Sequence, residues 1–346
     1  MVACSVGNAR VRWFLQIAAA AAVWIAHSQP ALFGHEPTTL VIAHRGASGY
    51  LPEHSEGAKV LAFAQGADVL EQDVVLSKDG ALIVSHDITM DATTNVREIY
   101  PNRTRADGKT YWADFDWSEL NRVSMRERSL DSQTSERFRY ATESRVMRLD
   151  DEIKLIRGLN QVLNRKVGFH IELKAPAWHL KEFGTHMADA LLAVLKEHEV
   201  TTASEPCFIQ CFEPEELKYM KEVLKCELPL VQLLGGRRPA SGAAGSNSLE
   251  EELTEIAKYA NGVGPAIPLL LTRDGDFVKS TGYVEAAHKA GLVVHPYTVR
   301  RDMLPAWCAN VDDLHRVLIK ELKVDGFFTD FPDLGRAAVD SHHSAP

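Results

Sequence analysis

Val69-Leu70-Glu71-Gln72-Asp73-Val74-Val75 is a short valine-rich run that carries two carboxylates two residues apart. Its composition suits a strand, and residues two apart on a strand share a face. Glu71 and Asp73 therefore lie together on one side of an otherwise apolar element. Like charges so placed are costly unless a cation or a basic group neutralises them. Hard oxygen donors of this kind favour Ca²⁺ or Mg²⁺ over zinc. A strand-end pair facing solvent is the plainer reading of the same residues.

Similar runs recur on both sides: Leu40–Ala43, Val167–Leu173, Cys207–Phe212, Leu230–Leu234, Gly262–Ile267, Leu292–Tyr297 and Gly326–Thr329. Helix-period segments separate them, among them Ser55–Gln65, Asp150–Leu163, Leu180–Glu197, Glu213–Leu224, Leu249–Tyr259, Gly282–Ala290 and Val311–Leu322. Eight strands alternating with helices predict an α/β fold, a closed (β/α)8 TIM barrel spanning residues 38–340. A doubly wound open sheet is the alternative. The barrel is preferred because polar residues gather at the strand C-terminal ends, the face that carries barrel active sites. Residues 88–148, polar and rich in Arg, Asp, Thr and Ser, are too long for a simple βα loop and read as an inserted subdomain after the second strand. Residues 235–248 are Gly/Ala/Ser-rich, of low complexity.

At the N-terminus Arg10 and Arg12 precede an apolar run, Trp13 to Ala26, of signal-peptide length and short for a membrane span. Ala26-His27-Ser28 suits cleavage, so residues 1–28 are read as an export signal, with a periplasmic or secreted product and no stable membrane insertion after cleavage. Removing them takes away two arginines and no acids, which changes the net charge from −9 to −11. So acidic a chain, with no long basic run, is a poor nucleic-acid binder. Cys207 and Cys211 stand roughly 13 Å apart along a strand, too far to bridge each other. With no Cys-x-x-Cys spacing, a zinc site is disfavoured, and the four cysteines beyond the signal read as buried free thiols, one disulfide among them being the alternative.

Three further motifs carry chemistry. His44-Arg45-Gly46 ends the first strand and combines a proton carrier, a cation suited to phosphate oxygens and a glycine that admits a ligand to the backbone. Asp79-Gly80 reads as a two-residue hairpin turn. Its register pairs Val75 with Val84 and Asp73 with His86, so His86 is expected beside a carboxylate and within reach of a metal. In Phe169-His170-Ile171-Glu172-Leu173-Lys174, alternation puts His170, Glu172 and Lys174 on one face. Glu172 thus adds a third acid at a barrel-strand end, and Lys174 could hold a phosphate oxygen.

His44-Arg45-Gly46-Ala47, Pro52-Glu53-His54-Ser55, Glu71-Gln72-Asp73, Ser85-His86-Asp87 and Glu172-Leu173-Lys174, in that order, resemble the motif set of the glycerophosphodiester phosphodiesterase family. His295-Pro296-Tyr297-Thr298-Val299-Arg300 and Phe327-Phe328-Thr329-Asp330-Phe331-Pro332-Asp333 resemble the last two barrel strands of its exported, periplasmic branch. The resemblance runs from about residue 40 to 335. It implies a TIM barrel with an inserted subdomain and one divalent cation, Ca²⁺ first and Mg²⁺ second. It implies that Glu71, Asp73 and Glu172 hold the metal, that His44 and His86 are the catalytic pair, and that Arg45 and Lys174 contact phosphate. Many relatives carry Asn where His54 stands.

The chemistry then expected is hydrolysis of small glycerophosphodiesters to sn-glycerol 3-phosphate and an alcohol, in glycerophospholipid and glycerol metabolism. A glycerol hydroxyl can attack phosphorus to give a cyclic phosphate, or metal-bound water can attack directly. Two other functions fit a similar chain: a phosphatidylinositol- or sphingomyelin-type phosphodiesterase, disfavoured by the want of an evident membrane-inserting loop, and a non-enzymatic binding protein, disfavoured by the full set of site residues.

Overall fold

The computed structural model describes residues 39–128, 144–236, 248–274 and 277–343. The apolar run read as an export signal and most of the low-complexity segment lie outside them. Eight parallel strands form the barrel wall: β1 (Leu40–Ala43), β2 (Val69–Leu76), β4 (Gly168–Leu173), β5 (Cys207–Cys211), β6 (Leu230–Leu234), β7 (Gly262–Pro265), β8 (Val293–Val294) and β9 (Gly326–Thr329). They follow the order β8-β7-β6-β5-β4-β2-β1-β9, and a short strand, β3 (Leu82–Val84), returns antiparallel beside β2. The ring closes through the chain after β8, where the Val299 N–H donates to the Phe328 carbonyl at 2.8 Å and the Phe328 N–H to the Pro296 carbonyl at 3.0 Å. β8 is shorter than the predicted Leu292–Tyr297 because Pro296 has no N–H to give a ladder.

Alternation sorts the side chains. Val41, Leu70, Phe169, Ile171, Ile209 and Phe327 face outward and form the main core, which the surrounding helices also line. Ile42, Val69 and Phe328 point into the barrel. Helix Glu56–Ala64 starts at Ser55, whose hydroxyl caps the Ala58 N–H. The predicted helix Leu180–Glu197 is two helices, Pro176–Phe183 and Met187–Glu197, because Gly184 adopts φ 73° and ends the first. No helix among the described residues is long and apolar enough to cross a membrane. Among the described residues, Cys207, Cys211, Cys226 and Cys308 are free thiols.

One register differs from expectation. Val74 pairs with Val84 and Leu76 with Leu82, which leaves a three-residue loop, Lys78 to Gly80. The Ser77 hydroxyl accepts from the Ala81 N–H at 2.9 Å and donates to Asp79 at 2.6 Å, while Gly80 takes φ 80°. A glycine in this left-handed position suits a three-residue loop better than the two-residue turn. Ser85, not His86, therefore lies opposite Asp73, its N–H donating to the Asp73 carbonyl at 2.9 Å.

The chain from Ile88 onward builds a second, smaller core of its own, with Met90, Val96, Trp112, Phe115, Leu120, Val123, Met125 and Val146 packed against Val75 and Ile83 of the β2–β3 hairpin.

Candidate active site

β2, β4 and β5 present Glu71, Asp73, Glu172 and Gln210 on their inward faces at the C-terminal end of the barrel. The register sets Asp73 beside Glu172 and Glu172 beside Gln210. One ligand oxygen from each of Glu71, Asp73 and Glu172 lies within 4.8 Å of the others, and all three residues are buried. Burial raises the Glu71 pKa well above the usual carboxylate range, and the charges of Asp73 and Glu172 raise it further. Glu172 is pushed up to about 8 by burial and by Asp73, against the pull of Lys174. Burial also opposes Asp73 ionisation, but Lys174 and His54 outweigh it and hold its pKa well down.

This donor set fits a hard divalent cation. Asp73 Oδ1 is buried with no hydrogen-bond donor, and Lys174 Nζ stands 3.8 Å from it. The other acceptors are already aimed: Glu71 Oε2 takes the Arg45 N–H at 2.8 Å and Oε1 takes Gln210 Nε2 at 3.0 Å. A cation would relieve the mutual repulsion that raises Glu71 and Glu172.

His44 leaves β1 with Nδ1 2.6 Å from Asp330 Oδ1 and Nε2 4.0 Å from Glu71 Oε2. Burial and the neighbouring Arg45 lower its pKa, with Asp330 pulling the other way. Arg45 follows in the left-handed region at φ 57°, a conformation that turns its N–H onto Glu71. Its guanidinium reaches Glu53 at 3.1 Å and Asp73 at 3.4 Å. Gly46 was expected to admit a ligand; its φ is 87° and a Cβ there would meet the Ala58 carbonyl carbon at 2.8 Å, so it serves helix packing. His86 is a third exposed, with Nδ1 2.6 Å from Asp87 Oδ1. Lys174 Nζ rests on Glu172 Oε1 at 2.6 Å.

The seven predicted site residues thus all belong to this end of the barrel, His86 without the predicted pairing to Asp73. Several contributors were missed. His54 is buried, its Nε2 donating to Asp73 Oδ2 at 2.8 Å, and burial brings its pKa to about 3, so it is neutral. Asp330, Asp87, Gln210, Glu53 and Arg128 complete the network. Asp87 and Asp330 stand inside quoted motifs, and a histidine's need for a fixed tautomer calls for such a carboxylate without saying which one supplies it.

Residues 44–334 match the model of the glycerophosphoryl diester phosphodiesterase family. The chain belongs to that family. It is 35% identical over 322 residues to the glycerophosphodiester phosphodiesterase of Haemophilus influenzae, covering 86% of this chain and 88% of that one. An enzyme of the same name from Treponema pallidum is also 35% identical, with 86% and 90% covered. Among solved structures, an Oleispira antarctica phosphodiesterase in complex with the product sn-glycerol-3-phosphate superposes with a TM-score of 0.60 at 22% identity, covering 88% of this chain and 97% of that one. As a glycerophosphoryl diester phosphodiesterase family member, the chain is a phosphodiester hydrolase.

Proposed function

We propose that the chain hydrolyses glycerophosphodiesters to sn-glycerol 3-phosphate and an alcohol, with a divalent cation held by Glu71, Asp73 and Glu172. The observation that carries this reading is the meeting, at one barrel mouth, of three buried carboxylates with two histidine–carboxylate pairs and an arginine. The names of the Haemophilus and Treponema relatives, and the product bound to the Oleispira enzyme, support the substrate class.

A bound divalent cation neutralises phosphate charge and lowers the pKa of an oxygen nucleophile. The remaining work belongs to the chain. Arg45 and Lys174 hold non-bridging phosphate oxygens as negative charge grows on them. Asp330 accepts from His44 Nδ1–H and Asp87 from His86 Nδ1–H, which leaves each Nε2 free to take or give a proton. One histidine removes the proton from the attacking oxygen, the other protonates the departing alkoxide, and the bond between phosphorus and the alcohol oxygen breaks. The nucleophile is a glycerol hydroxyl, with a cyclic phosphate opened later by water, or water itself.

Oxygen-only donors support Ca²⁺, with Mg²⁺ second. In the same reading residues 1–28 are an export signal, residues 38–340 are the TIM-barrel domain with its insertion about residues 88–148, and the substrates come from glycerophospholipid breakdown outside the cytoplasm.

The named site groups address metal, phosphate and glycerol, and none reads the alcohol. Glycerophosphocholine, glycerophosphoethanolamine and glycerophosphoglycerol are therefore all expected to yield sn-glycerol 3-phosphate, because discrimination needs contacts that differ between them. Bis(p-nitrophenyl) phosphate, which has no glycerol hydroxyl, should be a poor substrate if that hydroxyl attacks. A product assay across the diesters decides, and release of phosphocholine in place of choline would show the reading to be wrong.

A further inference from the structure

We infer that Arg128, contributed by the insertion, is a positioning residue for this reaction: it clamps Asp87, and through Asp87 it fixes the ring of His86. The inference rests on the role proposed above for His86. Arg128 Nη1 donates to Asp87 Oδ2 at 2.7 Å, while the other Asp87 oxygen takes His86 Nδ1 at 2.6 Å. The remaining edge of the same guanidinium forks onto Glu53, Nε to Oε2 at 3.0 Å and Nη2 to Oε1 at 2.6 Å. Glu53 in turn takes Arg45 Nη1 at 3.1 Å. One planar cation therefore ties the histidine–carboxylate pair on one side of the mouth to the phosphate-binding arginine on the other.

Three features separate this from an ordinary surface ion pair. Glu53 is buried, and the Arg128 side chain is only 22% exposed. The backbone of Asp87 is fixed independently, its carbonyl accepting from Trp112 Nε1 at 3.0 Å, so its carboxylate is the remaining freedom. His86 is among the more open residues of the site, and among the described residues Asp87 alone holds its ring Nδ1. Burial works against ionised Asp87, yet His86 and Arg128 bring its pKa down to about 2, so it stays an acceptor throughout the working pH range. Three donors in a fixed plane are what an arginine offers; lysine's ammonium cannot match both carboxylates from one position. Arg128 is itself placed by the insertion, the neighbouring Arg126 N–H donating to the Thr93 carbonyl at 2.7 Å. The insertion thus supplies part of the catalytic arrangement, over and above packing on the β2–β3 hairpin.

The test is a steady-state comparison on glycerophosphocholine with saturating Ca²⁺, of Arg128→Met, Arg128→Lys, Asp87→Asn, the Arg128→Met/Asp87→Asn double variant and His86→Ala. A misplaced proton carrier predicts that Arg128→Met lowers kcat about tenfold to hundredfold with KM within about threefold. Arg128→Lys should recover part of the loss. The double variant should be no slower than Asp87→Asn by more than about threefold, because the two act through one chain. Native-like kcat in Arg128→Met while His86→Ala is inactive would overturn the inference alone, as would losses that multiply in the double variant. Native-like kcat in His86→Ala would remove the role of His86 and the inference with it.

Discussion

At the scale of single residues, the site works by giving each charged group a fixed answering group. His44 and His86 each bind a carboxylate through Nδ1, at 2.6 Å in both cases, so each ring has one defined tautomer. His44→Ala is expected to fold normally and bind Ca²⁺ as before while losing about two or more decades of kcat, the usual cost of a missing acid or base. A variant that keeps near-native kcat would contradict its assignment. Glu71 and Glu172 are both raised by burial and by like charge, Glu172 to about 8. To hold a cation both must be ionised, so cation binding displaces protons and affinity rises with pH up to about 8. Calorimetric Ca²⁺ titrations in buffers of different ionisation enthalpy should register that release, and Asp73→Ala should abolish the binding. These site residues were legible because each ends a recognisable strand or sits in a short motif. Their partners were not: Asp330 lies 286 residues from His44, and Arg128 lies 41 residues from Asp87 in a segment with no periodic pattern to place it.

At the scale of elements, β2 carries the metal ligands inward and a second polar network outward. Lys59 from helix Glu56–Ala64 is fully buried, 2.8 Å from Glu152 of helix Leu149–Leu163, and it also donates to the Glu71 carbonyl. Gln72 donates to the same Glu152 oxygen at 2.9 Å. The network pins the backbone of Glu71 from behind. Glu152→Ala would leave a buried ammonium unpaired and is expected to cost about 3–5 kcal/mol in urea unfolding. Glu152→Gln, which keeps an acceptor for Lys59 and Gln72, should cost less, and equal losses would argue against the ionic account. The strands themselves could be read from the sequence, since β1, β6 and β9 follow from their apolar runs to the residue. The β2–β3 register could not, because it turns on the Ser77 hydroxyl and the left-handed Gly80 and not on hydrophobic pattern.

At the scale of the molecule, the barrel buries histidines that carry no charge. Burial lowers His179, His295 and His315 to about 4 each. Above pH 6.5 both folded and unfolded forms hold these rings neutral, so they contribute nothing to pH dependence. Below it the unfolded chain takes up protons that the folded chain refuses, and each ring removes about 1.4 kcal/mol per pH unit until its folded pKa is reached. His288 is raised by its hydrogen bond to Asp325, so its stabilisation is gained above pH 6.5, as pH falls, and is already complete below it. With the metal site loaded, the urea midpoint should therefore fall steeply from pH 6.5 to 4.5, and a flat profile there would contradict the burial of these rings as neutral groups. The same scale holds the central claim, that the three carboxylates and two histidine pairs at the barrel mouth form one metal-dependent glycerophosphodiester hydrolase. Its most direct test is coupled detection of sn-glycerol 3-phosphate released from glycerophosphocholine, before chelation, after chelation and after Ca²⁺ is restored. The account predicts release, loss and recovery in that order. Undiminished release in excess chelator by protein shown to contain no metal would contradict it.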